Sequence, residues 1–183
     1  NITVSTTADV ATKSYTVVLT QAKASAAGGE DIVLTFPDDN SENNKVSSYT
    51  DTWTAKSGNY SWSITAFNNN KWGNDWTYIR CGRKNNASVA SIVTDSAIDF
   101  PISSVVVTYD KFGNVNSHKL LVASDADFTE NVQEIAGTAT SAGDATYTVP
   151  SPAAGMYYKL VIDNASASSN GSVQVSKVKY VAE

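Results

Sequence analysis

A chain of 183 residues with a formal charge of −5 and a pI near 4.8 can bury one sizeable core, and it lacks the basic face that a nucleic-acid partner requires. Nothing in it approaches the roughly 18 consecutive apolar residues of a membrane span. A single Cys excludes an internal disulfide and leaves the redox compartment open.

The chain opens on a strand-like NITVS with no leader pattern, so an exported protein would be met here in mature or excised form. Residues 1–27 hold two strand-like runs, 2–5 and 14–20, followed by small residues that suit a linker. Two strands alone bury no core. They either pair with the unit that follows or close a preceding Ig-like unit.

The second unit, 28–183, starts with DIVLTFP, a strand stopped by Pro37, and continues into the polar loop DDNSENNKVSS. A short strand is expected over 49–55 and a stronger one over 59–67. In the latter, Tyr60, Trp62, Ile64 and Ala66 form the inward set, and Ser61, Ser63, Thr65 and Phe67 the outward one. An Asn- and Gly-rich turn follows. Beyond it Ile79 and Cys81 point inward, which puts Trp76, Tyr78 and Arg80 on the opposite face. The stretch 58–83 therefore reads as a β-hairpin with an aromatic tip, and Cys81 as a small core residue.

Further strands are expected over 88–93, 103–109, 117–123, 132–137, 144–149, 155–162 and 172–181, rich in Val, Ile, Tyr and Thr. No segment of twelve or more residues carries a helical period. Many short strands with evenly spaced turns predict an all-β, antiparallel sandwich, and the strand number suits a jelly roll.

From about Glu30 to Tyr180, the runs YSWSITAFNNN, WTYIRCGRKNNAS, SAIDFPISSVVVTYDKFG, HKLLVASDADFTENVQEI and MYYKLVIDNASASSNGSVQVSKVKY resemble the jelly-roll, galactose-binding-like modules of secreted gut-bacterial and phage proteins. The run ITVSTTADVATKSYTVVLTQ is similar to the last hairpin of bacterial Ig-like and BACON-type modules. The resemblance implies a fold and, by analogy, a carbohydrate-binding role in an extracellular, cell-surface or virion-surface protein.

The residues support that role on their own chemistry. Pyranose rings stack on flat aromatic faces, and planar amides and guanidinium groups bond hydroxyls. Trp72, Trp76, Tyr78 and Arg80, with Asn70 and Asn85, form the candidate carbohydrate site, and Asn68, Asn69 and Asn86 lie nearby in sequence. Trp62 reads as core.

An enzyme is not expected. The acidic residues fall mostly at strand ends and turns, and two N/S donors, Cys81 and His118, are too few for a zinc site. His118, after GNVNS, reads as a surface or strand-end residue. Asp125 and Asp127, with Glu130 close by, make an oxygen-rich turn that a structural calcium would accept; the cluster around Asp38, Asp39 and Glu42 is a second. The expected protein is thus a non-catalytic module that binds glycan, with no cofactor beyond such a calcium. A structural or assembly domain of a virion or surface array, with protein chains as partners, is the alternative.

Overall fold

The computed structural model describes residues 28–41, 46–69 and 77–183; the hairpin expected over 1–27 lies outside them. Eleven strands run in chain order through the described residues. They are β1 (Ile32–Thr35), β2 (Thr52–Ser57), β3 (Tyr60–Thr65), β4 (Ile79–Cys81), β5 (Ser88–Thr94) and β6 (Ile102–Lys111). After these come β7 (Val115–Ala123), β8 (Gln133–Ala136), β9 (Gly143–Thr148), β10 (Tyr157–Asn164) and β11 (Val173–Ala182).

The strands form two antiparallel sheets. One has the order β1-β11-β6-β9 with β4 also on β11, and the other runs β2-β3-β5-β10-β7-β8. β6 occupies one edge of β11 along its length, so β1 and β4 lie end to end on the other edge. The result is an all-β sandwich, compatible with a jelly roll. Long-range pairings such as β1 with β11 close it, whereas consecutive strands pair only as β2–β3 and β7–β8.

Alternation fills the space between the sheets. β10 reads half-buried and buried in strict turn, as its sequence YYKLVIDN predicts. Trp62 of β3 stacks on Tyr180 of β11 at 6.0 Å and donates its indole N–H to the Tyr180 hydroxyl at 2.9 Å. Tyr158 of β10 meets Tyr180 edge-on at 5.6 Å. These three fully buried rings span both sheets, and side chains of this size contribute about 1.5–3 kcal/mol each by burial. Burial also raises the Tyr180 and Tyr158 phenols above their ordinary range.

Three expectations change here. Phe67, placed on the outward face by alternation, is buried. Ala66 has a left-handed φ of 59°, which breaks the period of two, and the run Ala66–Asn69 is buried throughout. The stretch 58–83 is not a hairpin within one sheet. β3 belongs to the six-stranded sheet and β4 to the other, so the two arms lie in different sheets.

His118 is not a surface residue. It is 7% exposed on the inner face of β7. Its Nε2 faces the Ala139 carbonyl at 3.1 Å, and a carbonyl only accepts, so Nε2 carries the hydrogen. In the neutral ring Nδ1 then accepts from the Tyr147 hydroxyl, which in turn accepts from Tyr109 at 3.0 Å. Tyr109 and Tyr147 stand on β6 and β9, so this chain of donors joins the two sheets. Desolvation lowers the His118 pKa and so favours the neutral form.

Candidate functional site

The register fixes which loops share an end. Cys81 pairs with Val173, Lys111 with Gln174, and Asn164 with Val115. The loop segments 66–69, 77–86, 112–114 and 165–172 therefore gather at one end of the sandwich. The other end holds Gly28 and Glu183, where Asp31 pairs with Lys179 at 2.7 Å and accepts the Ala182 amide at 3.0 Å.

β4 is short but firmly placed. Ile79 and Cys81 are fully buried, and Tyr78 and Arg80 are half-buried on the outward side, as alternation predicts. Burial pushes the Cys81 thiol up to about 12, with only a weak bond to Asn164 opposing it. Arg80 and Asn68 exchange both backbone hydrogen bonds, at 2.8 and 3.0 Å, and this bridge is the link that ties the two arms of the expected hairpin. Arg80 Nε also donates to Asn68 Oδ1 at 2.9 Å. Asn68 and Asn69 are thereby structural amides: Asn68 Nδ2 donates to the Ser47 carbonyl at 3.2 Å, and Asn69 Oδ1 accepts the Val46 amide at 3.1 Å.

The loop 165–172 braces this surface. Gly82, at φ 82°, presents its carbonyl to the Gly171 amide at 2.8 Å, and a Cβ on it would lie 1.9 Å from Ser172 Oγ. Gly171 lies flat against the Arg80 side chain, where a Cβ would come within 2.7 Å of Cδ. Lys84 donates its amide to Asn170 Oδ1 at 2.8 Å, and the Asn85 amide reaches the Ala167 carbonyl at 2.9 Å. Asn85 itself turns the chain at φ 59°, and its exposed side-chain amide bonds no other group among the described residues.

Of the expected site residues, Tyr78, Arg80 and Asn85 thus share one end of the sandwich. Asn70, Trp72 and Trp76 lie outside the described residues, in the stretch that joins Asn69 to Thr77. Asp125 and Asp127 are elsewhere, in the β7–β8 loop at the opposite end. Asp125 caps its own turn: its oxygens accept the Thr129 amide at 3.0 Å, the Thr129 hydroxyl at 2.9 Å and the Glu130 amide at 2.7 Å. Those bonds, the Glu130 amide first, hold its carboxyl below the usual range. Among the described residues no group of three His, Cys, Asp or Glu converges. Asp38, also buried, accepts the Lys56 amide at 2.8 Å and joins the turn 38–41 to β2. The bracing role of Gly82 and Gly171 was not legible in the sequence, because each glycine answers to a side chain roughly 90 residues away. A scan against protein-family models and a search of curated proteins both return no match to this chain.

Proposed function

We propose that this sandwich is a non-catalytic, galactose-binding-like carbohydrate-binding module of an extracellular or surface protein, with its site at the β4 end. The observation that carries the reading is the outward pair Tyr78 and Arg80, at and just before a braced strand, at the same end of the sandwich as the exposed Asn85 amide. Tyr78 supplies a flat apolar face, Arg80 and Asn85 supply hydroxyl-binding groups, and Trp72 and Trp76 enlarge the aromatic set by sequence. Affinity per site is weak in such an arrangement, and multivalent display raises it.

A glycan array, followed by an affinity gel, compares the wild type with a Trp72→Ala, Trp76→Ala double variant and with Tyr78→Ala. Light scattering checks that all three share one assembly state. Binding by the wild type and loss in folded variants is the expected result. An assembly domain with protein chains as partners is the alternative reading. A stable trimer that binds no glycan would replace the first reading with the second.

A further inference from the structure

A groove of about 430 Å3 lies at the same end of the sandwich, between the β6–β7 turn and the β8–β9 loop. All its lining residues are among the described ones. Its floor is the His118 ring. One wall is Phe112, half-exposed and fixed edge-on by Tyr109 at 4.8 Å and by His118 at 5.1 Å. Around them stand Asn114, Ser117, Thr138 and Thr140, all exposed, whose side-chain polar groups bond no other group among the described residues.

The chemistry of this lining is restrictive. Apart from His118, no residue that lines the groove carries an ionisable group, and His118 Nε2 already donates to Ala139. An ionic ligand would lose hydration there and gain no counter-ion. A wholly apolar ligand would cover hydroxyls and amides without bonding them. What remains is a small neutral molecule with one apolar face and a rim of hydroxyls. The volume is in the range of small-molecule clefts. The walls are also pre-formed: Gly137, at the floor, donates its amide to the His118 carbonyl at 2.8 Å, and the Asn114 carbonyl accepts the Ala165 amide at 2.7 Å. That last bond ties the groove to the loop 165–172, which braces Arg80 on its far side.

We propose that this groove is a second saccharide site that takes a neutral pyranoside, with Phe112 as the stacking wall and Asn114, Thr138 and Thr140 as hydrogen-bonding groups. The inference rests on the saccharide-binding reading for its class of ligand, but none of its residues belongs to the Tyr78, Arg80 and Asn85 surface. Two sites on one end would let a single module grip two sugar units or two branches.

His118 is the only His of the chain, so its ring resonances report on this groove alone. The isotope-labelled full chain is titrated with the methyl glycosides of glucose, galactose, mannose and xylose, and with glucuronate as the charged comparison. At least one neutral glycoside shifts the His118 ring signals saturably. The shift persists in the Trp72→Ala, Trp76→Ala variant, and glucuronate binds more weakly. Phe112→Ala weakens binding about three- to tenfold, the worth of one aromatic contact. Because Phe112 also packs on the core, Thr140→Val at an exposed position is the second variant, with a loss of about threefold. His118 signals unmoved by all four glycosides would overturn the proposal, as would tighter binding of glucuronate or a shift that neither groove variant weakens. A shift at His118 in a protein whose Tyr78 surface binds nothing would sink only the first reading; the reverse would sink only this one.

Discussion

Replacing Tyr147 by Phe tests the polar link between the sheets with almost no change of shape. The substitution removes one hydroxyl that serves two partners at once, donating to His118 Nδ1 and accepting from Tyr109. Both partners are withdrawn from water, His118 at 7% and Tyr109 at 1% exposure, so neither finds a replacement in solvent. Leaving one buried polar group unsatisfied costs about 1–3 kcal/mol, and two orphans that relax in part cost about 2–4 kcal/mol. That is a large share of the roughly 5–15 kcal/mol by which folded domains are stable. Tyr109→Phe removes only the terminal donor, leaves His118 satisfied and costs about 1 kcal/mol. Equilibrium unfolding in urea reads both. With a slope of about 2 kcal/mol per M, the Tyr147→Phe midpoint falls by about 1–2 M at unchanged slope, and that of Tyr109→Phe by about 0.5 M. Equal midpoints for the two variants would refute the assignment of Tyr147 as the shared centre.

The same network makes stability depend on pH in one direction. His118 has a folded pKa below its unfolded value of about 6.5, so its contribution is complete above pH 6.5 and is lost as pH falls through the lowered folded value. Denaturation midpoints of the wild type should decline as pH falls below about 6.5, and those of His118→Gln should stay flat there; a flat wild type would contradict the buried neutral ring. Asp31 and Asp125, held below 3.8 first by the Lys179 hydrogen bond and by the Glu130 amide respectively, lose their contributions only in stronger acid, which keeps the two windows apart. Gly137→Ala should destabilise by about 1–3 kcal/mol, because its Cβ would fall 1.9 Å from His118 Cε1 and the ring is fixed at both nitrogens. Thermal melting reads that change, and a neutral substitution would mean that the ring moves freely. Cys81 should resist a thiol reagent at neutral pH in the native protein and react fully in denaturant, given its burial and a thiol pushed up to about 12; rapid native labelling would overturn that placement.

Nearly every strand was legible because its cause is local. Alternation in YYKLVIDN, or in VVVTY within ISSVVVTYDK, needs only the pleat and a core on one side, and both runs lie in strands with that burial. The same ground puts Trp62 and Cys81 in the core, where both are fully buried. The failures share a cause of a different kind. Phe67 depends on the backbone of its neighbour Ala66, whose positive φ no alanine advertises. The burial of His118 is not local either: its partners, Ala139 and Tyr147, lie 21 and 29 residues away on other elements. A lone His in a polar segment looks solvated until the opposite sheet is in place.

The hairpin expectation fails for a reason that bears on function. Two alternating arms around an Asn-rich turn would pair locally if nothing else competed. Here Ile79 and Cys81 pair with β11 and β3 pairs with β2 and β5, so each arm satisfies its backbone in a different sheet. Among the described residues the Asn68–Arg80 bridge links the arms directly, reinforced by the Asn68 side chain. The two arms consequently stand in different sheets and do not form a ribbon along one sheet edge. A ribbon would be free to bend about its base. β4 is instead held by its pairing with β11, and Arg80 on it and Tyr78 just before it inherit the rigidity of the core beneath them. Rigid placement lowers the entropy lost when a ligand binds, which matters most for a surface that depends on a few stacking and hydrogen-bonding contacts.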